Sequence, residues 1–266
     1  MRIGFIGMGN MGIAILKGYL NGSNNDPRNI TVYDIDEAKL EGLSDELGIN
    51  VAKSESDVVR MSHMVILAIK PDVYDRVLSD ISGDVKDDTI ILSLAAGIKV
   101  SYIEGFFKKN IKVVRVMPNT PALTGKGMSA LCHNSHVGQE DFEKAISLFK
   151  TLGLAEPVDE RLMDAVIGVS GSSPAYVYMF IEALADGAVE QGMPRKQAYT
   201  FAAQAVIGAA SMVMETGIHP GELKDMVCSP GGTTIAAVGA LEEKGFRDAV
   251  ITAVRKAAEK SREMDR

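Results

Sequence analysis

Ile3-Gly4-Phe5-Ile6-Gly7-Met8-Gly9-Asn10-Met11-Gly12 is the stretch on which the fold turns. Ile3 to Ile6 is a short apolar run suited to a buried strand, and Ile13, Ala14, Ile15, Leu16 and Tyr19 follow in a helical pattern. A strand feeding a G-x-G-x-x-G turn that opens a helix is the setting the dinucleotide fingerprint requires. Gly7 allows the tight turn, Gly9 the approach of backbone to a pyrophosphate, and Gly12 the packing of helix on strand. Ile6, Gly7, Met8, Gly9, Asn10, Met11 and Gly12 are therefore read as a cofactor turn, and the competing reading is a glycine-rich structural turn.

Downstream, residues 21–29 form a turn-rich connection with Gly22, Asn24, Asn25 and Pro27, and Ile30 to Tyr33 reads as a second strand ending at Asp34. An acidic residue at that place bonds the adenosine ribose 2′-hydroxyl. Asp34 fits it. Asp36 and Glu37 add negative charge, and no arginine is read as lying nearby to clamp a 2′-phosphate, which favours NADH. Asp34 or Asp36 could equally cap the next helix, Glu37 to Leu47, with different carboxylates in the two roles.

The alternation continues with a helix from Ser54 to Met61 and apolar runs at Met64 to Ile69, Thr89 to Ser93 and Ile111 to Met117. Strands covered on both faces read this way, and alternating strands and helices imply a doubly wound parallel sheet. Its ligand lies beyond the carboxyl ends of the strands. The loops Ala68-Ile69-Lys70-Pro71, Leu94-Ala95-Ala96-Gly97 and Met117 to Pro121 are thereby placed beside the glycine turn. Met128 to His133 is read as an extra strand, Glu140 to Leu152 as a helix and Ala155 to Val158 as a last strand. The fold class is α/β: a Rossmann-type domain over 1–158, followed by an all-helical domain over 159–266.

In the helical part, Ser173 and Pro174 suit the start of a helix, Pro194 and His219-Pro220 start others, and Thr233 to Lys244 precedes the final one. Ala175 to Val189 and Ala198 to Met214 are apolar on nearly every side, so each must be buried all round. A second subunit is expected to cover them, against the alternative of a monomeric bundle. Ser229-Pro230-Gly231-Gly232-Thr233-Thr234 lies between two helices. On the residues alone it is either an anion cradle of backbone N–H groups suited to a carboxylate, with Thr233 or Thr234 as cap, or a plain helix cap after a Gly-Gly turn.

The chain of 266 residues carries a net charge of −7, which argues against a general nucleic-acid partner. No apolar stretch reaches the length of a bilayer span, no cleavable export segment is read at Met1-Arg2, and four scattered histidines give no metal spacing. Cys132 and Cys228 are read as free thiols in a reducing cytoplasm.

Cys228 to Glu242 resembles the C-terminal signature of the pyrroline-5-carboxylate reductases. IGMGNMG, AIKP, RVMPNTP and the Ser-Gly-Ser-Ser-Pro junction resemble that family's other motifs, so the resemblance spans Ile6 to Glu242. It implies reduction of 1-pyrroline-5-carboxylate to proline with NADH or NADPH, and a helical domain that pairs subunits, in larger assemblies as rings of dimers. It further implies that Ser229, Gly231, Gly232 and Thr233 hold the substrate, with Thr234 at the ring nitrogen as the catalytic candidate. Ala68, Ile69, Lys70, Pro71, Leu94, Ala95 and Ala96 line the cofactor, and Asn119 stands near the nicotinamide. The chain departs from the family pattern at Ser173, at Asp34, and at Glu55, where many members carry an Asn that contacts the ribose; the carboxylates of Asp34 and Glu55 favour NADH. The alternatives are a related imine reductase, a short β-hydroxyacid dehydrogenase, or a nucleotide-sensing protein without turnover.

Overall fold

The structure, a computed structural model, describes residues 1–22 and 25–266; Asn24 of the expected 21–29 turn lies outside the described residues. Among the described residues eight strands form one sheet: β1 (Ile3–Ile6), β2 (Ile30–Tyr33), β3 (Asn50–Val51), β4 (Met64–Leu67), β5 (Ile90–Ser93), β6 (Lys112–Met117), β7 (Gly127–His133) and β8 (Gly153–Pro157). Twelve α-helices among the described residues accompany them. Seven lie among or just after the strands: α1 (Asn10–Asn21), α2 (Glu37–Leu47), α3 (Glu55–Met61), α4 (Tyr74–Ile81), α5 (Val100–Glu104), α6 (Gln139–Lys150) and α7 (Met163–Val166). The rest are α8 (Ser173–Glu190), α9 (Arg195–Thr216), α10 (Pro220–Val227), α11 (Thr233–Glu243) and α12 (Phe246–Met264).

The sheet order is β3-β2-β1-β4-β5-β6-β7-β8. Its first six strands are parallel in the doubly wound order, which reverses direction at β1 and so opens a crevice there. β7, the extra strand beyond the alternating ones, runs antiparallel to β6. Residues 118–126 are too few for a crossover, which takes about a dozen residues, so the chain turns back on the neighbouring strand. β8 then pairs parallel to β7 after crossing over through α6.

Both faces of the sheet are covered, as the unbroken apolar strands require. Ile3, Phe5, Val32, Leu92 and Val114 pack on one side with Ile15 and Leu16 of α1 and Phe142 and Phe149 of α6. Ile6, Val65, Leu67, Ile91 and Val113 pack on the other with Val58 of α3 and Tyr74 and Val77 of α4. Alternate residues of one strand feed opposite cores, the two-residue period of an extended chain.

Residues 1–172 and 256–266 form one compact unit and 173–255 a second. Residues 159–172, which the end of the alternation places beyond the sheet domain, are bound into the first unit. Met163 is buried in its core, and the Glu160 carboxylate accepts from the Val100 N–H at 2.9 Å and from Arg115 at 3.1 Å. The chain's last residues belong to it as well: Ser261 donates to Asp164 at 2.6 Å, and the Arg266 N–H donates to the Gly97 carbonyl at 2.8 Å. Ser173 is not a cap. A π-helical turn over Ile167–Gly171 leads into α8, so the chain is already helical when it reaches Ser173.

In the second unit α8 and α9 bury only small residues, Ala185, Ala198 and Ala202, against each other. Their large apolar side chains face outward: Tyr178 is 60% exposed, Met179 69%, Phe201 60% and Met214 66%. Among the described residues no helix is long and apolar enough to cross a membrane, and no cluster of acidic, histidine and cysteine side chains is placed to hold a metal ion.

Candidate functional site

The glycine turn is built by close approach. Gly7 adopts φ +93°, and a Cβ there would sit 2.6 Å from the Ala68 carbonyl oxygen; a Cβ on Gly12 would sit 2.5 Å from the Gly7 oxygen. Only glycine fits either place. By contrast a Cβ on Gly9 would meet nothing within 4 Å. That space lies beside the N-terminus of α1, whose cap, Gly9, offers no side chain. The backbone N–H groups of the first turn and the positive end of the helix dipole are left for an anionic group, so the turn fits a dinucleotide pyrophosphate.

β1, β2 and β4 hold the turn's flanks in register: the Gly7 N–H donates to the Tyr33 carbonyl at 2.8 Å, and the Ala68 N–H to the Ile6 carbonyl at 2.8 Å. Asp34, at the end of β2, accepts from the Met8 N–H at 2.5 Å and from the Asp36 N–H at 3.0 Å. Its side chain is only 13% exposed. The two aspartates divide their roles as the sequence allowed. Asp36 caps α2 by accepting from the Lys39 N–H at 3.1 Å, while Asp34 grips the glycine turn and faces the crevice.

A cavity of about 350 Å³ brings together Ile6, Gly7, Gly9, Asp34, Glu55, Ala68, Ile69 and Lys70 from the sequence-derived set. A second, of about 690 Å³, runs alongside α2 and shares Tyr33, Asp34 and Ile35 with the first. The sequence reading missed Tyr33, Ile35, Val73, Arg76 and Val77 on the first cavity's wall. Ile35 is 83% exposed, an apolar side chain beside Asp34 that offers a flat ring a surface. Arg76 corrects the statement that no arginine lies near: it stands on α4, remote in sequence, and donates to Glu55 at 3.0 Å. Burial holds the Tyr33 hydroxyl above its usual pKa, with Glu55 and Asp34 adding to the rise and Arg76 opposing it, so these groups share one corner.

Met8, Asn10, Met11, Gly12, Pro71, Leu94, Ala95, Ala96 and Asn119 are not on that cavity's wall. Met8 is wholly buried, its side chain in the core. Ala95 is buried. The loops after β4 and β5 are fixed from below by Tyr74, whose hydroxyl donates to the Leu67 carbonyl at 3.1 Å and lies 3.0 Å from Ser93 Oγ. Burial pushes this phenol up to about 12. The Asn119 amide is committed at both ends: Nδ2 donates to the Ser170 carbonyl at 3.0 Å, and Oδ1 accepts from the Met128 N–H at 2.8 Å. It therefore ties the loop after β6 to β7 and to the π-helical turn, a brace that neither motif nor spacing signals.

In the second unit, Gly231 has φ +67°, and the Gly232 N–H donates to the Ser229 carbonyl at 3.0 Å, closing a turn that aims the chain into α11. The expected threonine cap is absent. Gly232 is the cap, without a side-chain bond, because α11 begins only at Thr233. The N–H groups of its first turn and the hydroxyls of Thr233, which is exposed, and Thr234, half-buried, are thus left to bind a ligand.

Comparison with known proteins agrees with this arrangement in both parts. Residues 160–264 match a family model described as pyrroline-5-carboxylate reductase dimerisation, and residues 2–97 match one described as NADP oxidoreductase coenzyme F420-dependent. Pyrroline-5-carboxylate reductase of Escherichia coli (strain K12) is 49% identical over 265 residues, covering 100% of this chain and 98% of the relative. That of Methanosarcina acetivorans is 45% identical over 263 residues, covering 99% and 97%. Among solved structures, Plasmodium falciparum pyrroline carboxylate reductase with NADP bound superposes with a TM-score of 0.90 at 31% identity, covering 100% of this chain and 98% of that one. Identities of 49% and 45% over nearly the whole chain, with the dimerisation model of the same enzymes over residues 160–264, place this chain in the pyrroline-5-carboxylate reductase family.

Proposed function

We propose that the chain reduces 1-pyrroline-5-carboxylate to L-proline, with residues 1–158 serving the cofactor and residues 159–266 the substrate and self-association. The observation that carries the reading is the N-terminus of α11 behind Gly231-Gly232, which no side chain caps, in a chain 49% identical to a pyrroline-5-carboxylate reductase. Ser229 closes the turn by accepting from the Gly232 N–H, and the N–H groups of Gly231 and Thr233, on either side of Gly232 in the cradle, hold the substrate carboxylate. The Thr234 hydroxyl, with no partner among the described residues, hydrogen-bonds the ring nitrogen or orients a water there.

A bound nicotinamide supplies the hydride. What the protein does is hold and align: the turn Ile6 to Gly12 takes the pyrophosphate, Asp34 and Glu55 take the ribose, and Ala68 to Pro71, Leu94 to Ala96 and Asn119 shape the remaining wall. A cyclic imine is basic enough to be protonated near neutral pH, so the site needs no strong acid of its own. NADH is the favoured coenzyme, because Asp34 and Glu55 would repel a 2′-phosphate. Two free thiols, Cys132 and Cys228, support a cytoplasmic setting. The exposed apolar faces of α8 and α9 support a homodimer, assembled further into a ring of dimers.

Oxidation of NADH and of NADPH with 1-pyrroline-5-carboxylate tests the whole reading. Turnover is expected with both, at higher kcat/KM for NADH. No turnover with this imine would sink the proposed reaction, and a clear NADPH preference would overturn the coenzyme assignment alone.

A further inference from the structure

Arg76 lines the 350 Å³ cavity with the glycine turn, Asp34 and Glu55. Only one of its nitrogens is engaged. Nη1 donates to Glu55 Oε1 at 3.0 Å and to Asp80 Oδ2 at 3.1 Å, while Nε and Nη2 have no partner among the described residues. The side chain is 53% exposed, whereas that of Glu55 is 10% exposed. A guanidinium held by one corner keeps a second donor edge for a bidentate anion, the geometry in which arginine binds phosphate. The cavity's other basic side chain differs in kind: Lys70 is a point charge without a fork. Lys39, off the cavity wall, is committed to Asp34 at 3.7 Å and Asp36 at 3.4 Å.

We infer that Arg76 is a specificity-determining residue for the coenzyme, taking the 2′-phosphate of NADPH through its free edge, and that Glu55 sets how strongly it does so. The inference rests on the dinucleotide reading of the cavity. The ribose 2′ position of such a ligand lies at the end of β2, beside Asp34. There the Glu55 carboxylate both repels a phosphate and neutralises the cation that would receive it. Asp80, on the same helix one turn on, keeps Arg76 anchored when Glu55 is made neutral.

The test is calorimetric titration of the intact protein with 2′,5′-ADP and 5′-AMP, as the wild type, Glu55→Gln, Arg76→Met, the double variant and Lys70→Met. Glu55→Gln is expected to raise affinity for 2′,5′-ADP about ten-fold relative to 5′-AMP, the worth of one charge-assisted hydrogen bond. Arg76→Met should abolish that gain in the double variant and leave 5′-AMP binding unchanged. A gain of equal size without Arg76 would mean that relief of repulsion alone is at work and would overturn the inference, as would transfer of the effect to Lys70→Met. Tighter wild-type binding of 2′,5′-ADP than of 5′-AMP, lost in Arg76→Met, would sink the NADH preference while upholding Arg76. Failure of both probes to bind would remove the dinucleotide site and the inference with it.

Discussion

Asp34 Oδ2 accepts from the Met8 N–H at 2.5 Å, so the carboxylate that lines the cavity at the end of β2, where the proposed ribose contact lies, also holds the glycine turn closed. The two tasks are mechanically one. A hydrogen bond to a charged acceptor is worth about 1.5–3 kcal/mol. Asp34→Ala is therefore expected to weaken NADH binding about ten- to a hundred-fold and to weaken NADPH binding too, because the turn that cradles the shared pyrophosphate loosens. Dissociation constants from fluorescence titration check this. A variant that lost NADH and gained NADPH would show Asp34 to be a ribose contact alone.

The central strands β1, β4, β5 and β6 were legible from their unbroken apolar runs, and the glycine turn from the strict geometry that only glycine satisfies at Gly7 and Gly12; β3, two exposed residues, carries no such run and was not read. Asp36 as a cap was legible because caps follow local rules. Arg76 was not: its sequence signal is that of any exposed helical residue, and only the packing of α3 beside α4 brings it to Glu55. The antiparallel step at β7 depends on the shortness of 118–126, which alternation alone does not weigh. Resemblance alone set Asn119 near the nicotinamide; its two-ended brace was not legible, because it needs Ser170 and Met128, far and near in sequence, to be seen together.

Replacing Thr234 with Ala tests the helical half of the site. Its hydroxyl supports no cap, so the substitution removes no structural bond, and thermal stability should change little. Turnover is expected to fall about ten- to a hundred-fold, within the range of positioned proton-transfer groups. The dissociation constant for NADH should stay as it was. Unchanged kcat would take Thr234 out of the chemistry.

Phe201, on α9, is 60% exposed in the single chain, though fully apolar. Burying such a ring contributes about 1.5–3 kcal/mol, and a charge in its place would have to be desolvated with it. Light scattering on the wild type should give at least a dimer at micromolar concentration. Phe201→Glu should shift it to the monomer, with the fold of the first unit retained by circular dichroism. A monomeric wild type would show that α8 and α9 carry their apolar faces for another reason.

Tyr74 provides a pH test of the packing beneath the cofactor loops. Its phenol is pushed up from 10.0 to about 12 by burial, with Ser93, the Leu94 and Ala95 N–H groups and Arg115 pulling the other way. Cys132 is likewise pushed up from 9.0 to about 12 by burial, with Glu160 and Asp159 adding and Arg115 opposing. In both cases the folded state favours the neutral form. Their contribution is complete below the unfolded values and is lost as pH rises towards about 12. Urea unfolding should therefore show no effect of these groups up to about pH 9, then a fall in stability between there and pH 12. Tyr74→Phe should cost about 1 kcal/mol at neutral pH, for the bonds to Leu67 and Ser93, yet decline less steeply above pH 10. The two curves then converge in alkali. Parallel curves would mean that Tyr74 ionises in the native state as freely as in the unfolded chain, and that its hydroxyl does not fix the ends of β4 and β5.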